Sequence, residues 1–186
     1  MRILACVAGL LLAGAGHHAP AAEWRMDPLD SRLEFVATFE KTAAPGIFRE
    51  FDTRMRFDPD KPVAGQIDVT IKLASADMKS TAVNKAIGGP DWFDLARYPQ
   101  AEFHATDIRR ADSIRYLARG VLSLKGIDQP IEVPFAWSVS TGAAMLEGEV
   151  TIKRGLFRIG IGEWASTNVV GAEVKVKFRV RLRKVG

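Results

Sequence analysis

Between Glu173 and Arg183, Val174, Val176, Phe178, Val180 and Leu182 fall on every second position, and Lys175, Lys177, Arg179, Arg181 and Arg183 fill the gaps. A strand turns successive side chains to opposite faces, so this segment has one apolar side and one side of cations. A helix would scatter both sets around its circumference. A second protein layer over the charged side would bury unpaired cations, so the strand belongs to an antiparallel sheet with one dry and one wet face. What the dry face encloses is then the central question.

The same alternation recurs upstream. Leu33, Phe35, Ala37 and Phe39 share a face within residues 31–39, as do Phe51, Thr53, Met55 and Phe57 against Asp52, Arg54 and Arg56. After the turn signal of Pro59 and Pro62, Ile67, Val69, Ile71 and Leu73 alternate with Asp68, Thr70 and Lys72. Strand character returns over 101–108, 114–124, 131–139 and 144–153, with Pro134 suited to an edge or bulge because it has no N–H to donate. Counting the terminal segment, that makes eight strands. Between the third and fourth, residues 80–87 read as a short helix ended by Gly88, Gly89 and Pro90, and residues 91–99 as a further helical turn capped by Asp91. Eight short strands with one amphipathic face throughout predict an all-β barrel or sandwich. The barrel is favoured because an up-and-down chain of this size closes on itself and leaves no edge.

The first 21 residues stand outside this pattern. Arg2 precedes an apolar run over 3–16, and Ala19, Pro20 and Ala21 form a small-x-small site, so residues 1–21 read as a cleaved signal peptide and 22–186 as one exported, periplasmic domain. Cys6, the one cysteine, leaves with the leader, so the mature chain has no disulfide or thiolate site. The formal charge of +4 falls to +3 with the loss of Arg2, a mild excess gathered at the C-terminus.

Chemistry-bearing constellations are sparse. His104 is the one histidine of the mature chain and lies on the polar parity of its strand beside Glu102 and Thr106, which suits a surface position. One histidine and no cysteine exclude the common zinc sites. Asp91 and Asp94 could pair as acid and base, although capping accounts for Asp91 equally well. No nucleophile elbow, phosphate-binding glycine loop or dinucleotide fingerprint occurs. The aromatics do not interleave with the terminal cations on one face, so nucleic acid is not an expected partner.

A series of motifs runs in order along nearly the whole mature chain: Trp24-x-x-Asp27 leading to Ser31-x-Leu33-x-Phe35; Gly46-x-Phe48-x-x-Phe51; Phe57-Asp58-Pro59; Phe93-Asp94-x-x-x-Tyr98-Pro99-x-Ala101-x-Phe103; Gly120-x-Leu122-x-Leu124-Lys125-Gly126-Ile127 with Pro130; and Arg154, Gly160, Gly162, Glu163 and Trp164. In their order and spacing these resemble the YceI-like family of exported lipocalin-like barrels that bind polyisoprenoids. Two departures stand out. Asp30 replaces a histidine or asparagine frequent in the family, and Leu156 and Arg158 replace the Asp and Gly of an Asp-Phe-Gly. The resemblance implies an eight-stranded antiparallel lipocalin-like barrel with a tunnel for a long isoprenoid chain, either a quinone tail or a polyprenyl phosphate, and no covalent cofactor.

Phe35, Phe51, Phe103, Phe135 and Trp137 are therefore expected to face the interior, and Trp92 and Phe93, with Leu95 and Tyr98, to cover one opening. Arg154 and Arg158 could meet an anionic head group, beside Trp164 in the same loop. The expected reading is a non-catalytic periplasmic carrier of an isoprenoid-type lipid, with transient membrane-surface contact and a homodimer left open. Its rivals are an interaction or stress-response module with a packed barrel and a basic docking face, and a lipid-modifying enzyme using Asp91, Asp94 or His104.

Overall fold

The computed structural model describes residues 21–185, so the expected leader lies, except for Ala21, outside the described residues. Eleven strand segments are present: β1 (Glu23–Met26), β2 (Arg32–Phe39), β3 (Thr42–Phe48), β4 (Phe51–Arg56), β5 (Gln66–Lys72), β6 (Ala76–Asp77), β7 (Gln100–Arg110), β8 (Arg115–Leu124), β9 (Ile127–Ser140), β10 (Ala143–Lys153) and β11 (Glu173–Lys184). All pairings are antiparallel, and the order β1-β4-β5-β7-β8-β9-β10-β11 returns to β1, so eight strands close a barrel.

The surplus segments arise because three staves are each broken once. A 3-10 turn at Pro28–Asp30 separates β1 from β2, Arg49 and Glu50 separate β3 from β4, and a 3-10 turn at Leu73–Ser75 separates β5 from β6. Both halves of the first stave lie along β11: Met26 opposes Leu182 and Val36 opposes Lys175. The alternation in the terminal segment thus runs the full height of the barrel. β1 and β3 were not expected. Four residues are too few to display a period, and Pro45 and Gly46 erase it in β3, where Gly46 sits opposite Phe35 and leaves room for the phenyl ring to lie across the strand. Among the described residues the single α-helix, α1 (Thr81–Ile87), is where residues 80–87 predicted one, with Ser80 accepting from the Val83 N–H at 3.4 Å. The expected helical turn over 91–99 is instead a run of turns, in which Asp94 takes a left-handed backbone with φ 53°.

Pro134 marks a split in the wall. The β9–β10 ladder runs from Ser140↔Ala143 to Phe135↔Gly148 and stops, after which β9 continues on β8 alone and β10 on β11 alone. The Pro134 carbonyl lies against the position a Cβ on Gly148 would take, so it faces β10. Its nitrogen points the same way and has no proton to give. Pro130, four residues earlier in a register without shifts, repeats the arrangement.

The interior differs between the two ends. At the end holding the β1 start and the β9–β10 turn, Phe57 meets Tyr116, Phe135 and Trp137 at ring distances of 5.0, 6.0 and 5.1 Å, and Trp24 meets Trp137 at 5.1 Å. These edge-to-face contacts make a solid aromatic plug. Toward the other end the inward side chains lose cover on three consecutive strands. Along β11, Leu182 and Val180 are buried but Phe178, Val176 and Val174 are half-buried; along β10, Ala144 and Leu146 give way to Val150 and Ile152; along β9, Trp137 and Phe135 give way to Val133 and Ile131. The inward parity never changes. What changes is that nothing fills the space in front of it.

Candidate functional site

That space is a cavity of about 640 Å³. Its wall is supplied by inward positions of β2, β4, β5 and β7 to β11, including Phe35, Phe51, Phe103 and Phe135. Besides the indoles of Trp92 and Trp164, the lining side chains with polar atoms are Thr38, Thr53, Lys79 and Arg154. Thr53 is 1 % exposed, and its hydroxyl has no hydrogen-bond partner. Such a surface excludes water cheaply and favours a long apolar ligand.

Two segments join to roof the hollow end. Trp92 and Phe93 come from the insertion after α1, and Ile159, Trp164 and Val170 come from the connection between β10 and β11. The segments are pinned to each other: the N–H groups of Gly160 and Ile161 donate to the Asp91 carbonyl at 2.8 and 3.1 Å, Lys125 Nζ donates to the carbonyls of Pro90 and Arg158 at 2.8 Å each, and the Trp92 and Trp164 rings lie 5.7 Å apart. Leu95 packs on the core, and Tyr98 lies over Gly126. The expected cover is therefore present, built from two strips of chain rather than one.

Arg154 organises the second strip. Only 5 % exposed, it donates from Nε to Gly171 O at 2.9 Å, from Nη1 to Ile159 O and Gly160 O at 2.8 and 2.7 Å, and from Nη2 to Trp164 O and Val170 O at 2.9 and 2.8 Å. A guanidinium has five N–H donors, and all five are used. No carboxylate lies within ion-pair distance of it among the described residues, and burial pulls its pKa down. The expected head-group role for Arg154 is thus corrected: it touches the cavity but has no donor left for a ligand. Arg158 is corrected as well. Its backbone is left-handed, its side chain is exposed, and it does not line the cavity. Trp137 faces inward as expected but belongs to the plug beneath the cavity floor.

The mouth is defined by the lining residues that reach solvent. Phe39 and Pro45 come from the β2–β3 hairpin, Val83 and Ala86 from α1, and Lys79 from the segment leading into α1, so the cavity opens between the hairpin and α1. The segment leading into α1 is held from below. Asp77 accepts from Asn84 Nδ2 at 3.1 Å, from Arg49 and from the Lys79 N–H at 2.8 Å, while Asn84 Oδ1 accepts from the Met78 N–H at 2.8 Å. The Asn84 hydrogen bond, followed by those from Arg49 and the Lys79 backbone, holds the Asp77 pKa down at about 2. Lys79 itself takes a left-handed backbone, φ 59°. None of these residues was singled out from the sequence, because an exposed lysine before a helix carries no signal of what lies beside it.

The residues proposed for catalysis are elsewhere. His104 sits on the outer wall with Nδ1 2.5 Å from Asp68 Oδ1, and neither Asp91 nor Asp94 lines the cavity. Among the described residues there is no group of three or more His, Cys, Asp or Glu placed to hold a metal ion. The terminal cations are also accounted for: Lys175 and Lys177 lie 3.8 and 3.4 Å from Glu149, Arg179 lies 2.9 Å from Glu147, Arg181 lies 3.0 Å from Asp30, and Arg183 meets Asp27. The departure at Asp30 thus serves to pair Arg181. A stripe this well matched by its neighbours is not a strongly basic docking face, and a hollow interior is not a packed one.

An eight-stranded closed barrel, plugged with aromatics at one end and hollow and apolar under a roof at the other, has the form of a small-lipophile-binding barrel. The chain belongs to the YceI-like family: residues 24–182 match the YceI-like domain. It is 33% identical to the Burkholderia cenocepacia protein BcnA, whose crystal structure superposes with a TM-score of 0.82 over 84% of this chain and 98% of that one. A polyisoprenoid binding domain from Saccharophagus degradans shares the fold, with a TM-score of 0.72 at 17% identity over 90% of this chain and 100% of that one. A UPF0312 protein of Azotobacter vinelandii is 30% identical over 70% of this chain and 69% of its own length. The match to a UPF0312 protein of Photorhabdus laumondii, 33% identical, spans 46% of this chain and 44% of that protein.

Proposed function

We propose that this protein is an exported, periplasmic carrier that holds one long isoprenoid-type lipid, an isoprenoid quinone or a polyprenyl phosphate, in the hollow half of its barrel without altering it chemically. The observation that carries the reading is the loss of cover along β9, β10 and β11, where inward apolar side chains face unfilled space of about 640 Å³. Each CH₂ moved from water onto such a wall contributes about 0.8 kcal/mol, so a prenyl tail is held by its length and needs few polar contacts. Family membership and likeness to a polyisoprenoid binding domain support the same ligand class. The leader read over residues 1–21 supports export, and a mouth rimmed by Phe39 and Val83 suits transient contact with the membrane from which such a lipid would be drawn.

Native mass spectrometry of the mature protein purified from a Gram-negative host tests this. A co-purifying prenyl lipid, removable by organic extraction and restored by added ubiquinone or polyprenyl phosphate, is the expected result. Protein that stays at its apo mass and takes up no prenyl lipid would refute it. The same spectrum distinguishes a monomer from a homodimer.

A further inference from the structure

Among the described residues the cavity wall holds two side chains with a full charge, Lys79 and Arg154. Arg154 has committed every donor to main-chain carbonyls. Lys79 has committed none: no carboxylate lies within 4.0 Å of its ammonium, and no hydrogen bond leaves its Nζ among the described residues. It is therefore the one lining group whose charge is still available. Its position is also fixed in a way that an ordinary surface lysine's is not. The Asp77 carboxylate holds the Lys79 N–H at 2.8 Å, Asn84 holds the Met78 N–H at 2.8 Å, and Arg49 and Asn84 hold Asp77, so the backbone at 77–79 is clamped in a conformation, φ 59°, that a lysine seldom takes. The strain in that backbone is sustained by the network around it, and its effect is to set the lysine stem against the mouth between α1 and the β2–β3 hairpin.

We propose that Lys79 is a head-group site: it holds an anionic head, phosphate or carboxylate, at the mouth while the tail occupies the hollow. This rests on the carrier reading above and narrows it, because a neutral quinone gains nothing from the ammonium, whereas a polyprenyl phosphate gains a charge-assisted hydrogen bond at the place where its head leaves the apolar wall. The geometry suits one head at the rim rather than a buried one. Thr53, deeper in the wall, offers only a covered hydroxyl, and the floor beyond it is aromatic. The tail therefore points inward and the head outward.

The test compares a polyprenyl monophosphate with the polyprenol of equal chain length, on wild-type protein and on Lys79→Met and Lys79→Glu, which keep a long stem at that position. Wild type should bind the phosphate about tenfold more tightly than the alcohol, Lys79→Met should remove that preference by weakening the phosphate far more than the polyprenol, and Lys79→Glu should reverse it. Added salt should weaken phosphate binding alone. Equal wild-type affinity for the two lipids would overturn the head-group site and leave the carrier reading intact, whereas failure to bind either lipid would overturn the carrier reading. Equal loss of both lipids in Lys79→Met would show a packing role and refute the proposal. Saturable binding of inorganic phosphate alone, lost in Lys79→Met, would assign the site to a free anion and overturn it as well.

Discussion

Replacing Arg154 with lysine keeps the charge and much of the stem but reduces five directed N–H donors to three. At least two of the carbonyls of Ile159, Gly160, Trp164, Val170 and Gly171 then lose their partner, three of them in bonds that are buried. A hydrogen bond from a charged donor is worth about 1.5–3 kcal/mol, so two orphaned carbonyls cost about 3 kcal/mol after partial rehydration. Arg154→Ala orphans all five but also removes a buried charge that has no counter-ion. Its cost is held to about 3–5 kcal/mol, because the loop can open and hydrate rather than keep five empty acceptors. Against a total stability of about 5–15 kcal/mol, either change is large. Urea unfolding followed by tryptophan fluorescence measures it, as a drop in midpoint at unchanged slope. Hydrogen exchange localises it: amides of 158–171 should lose protection before those of the aromatic plug. If Arg154→Lys unfolds within 0.5 kcal/mol of wild type, roughly the scatter expected of a surface change, the assignment of this arginine as the organiser of the roof is wrong.

Phe57→Ala, in the plug at 1 % exposure, should cost about 3–5 kcal/mol, whereas Val133→Phe, pointing into the hollow, should leave the urea midpoint within about 1 kcal/mol and lower the uptake of a lipophilic dye; a stability loss from the second like that of the first would mean the hollow is packed. Asp77 has its folded pKa depressed from 3.8 to about 2, so its contribution is complete above 3.8 and is lost as pH falls through about 2. Asp77→Asn should therefore flatten the acid limb of the stability curve in that window, measured by thermal unfolding from pH 5 to 2, and an unchanged limb would remove Asp77 from the clamp beneath Lys79.

The alternation in β11 made the sheet, its wet face and its inward stripe legible, and the same reading at seven other places returned the right number of staves. It failed where the signal is physically absent. β1 is four residues long, and β3 carries Pro45 and Gly46. The cavity was legible only through the family resemblance, not from the residues themselves. Phe178 and Leu182 occupy the same parity of the same strand, yet one faces space and the other is fully covered, a difference set by the five aromatic rings that four other segments bring to one end. Arg154 could be picked out as a cation in a glycine-bearing loop, but its partners are main-chain carbonyls, which every sequence has. Lys79 could not be picked out, since its availability is defined by the commitments of the residues around it.

Pro130 and Pro134 bear on what happens when the ligand leaves. A barrel wall with donors free on both lips of a split can zip shut over an empty interior, and the next lipid would then have to break that ladder on arrival. Here the β9 lip presents two ring nitrogens in place of two N–H groups, and the β9–β10 ladder ends at Phe135 and Gly148. An empty barrel of this build gains no ladder hydrogen bonds at those two positions by closing, so a ligand entering it would not have to break them. Preorganisation of this kind lets a lipid-binding barrel exchange one ligand for another without changing shape.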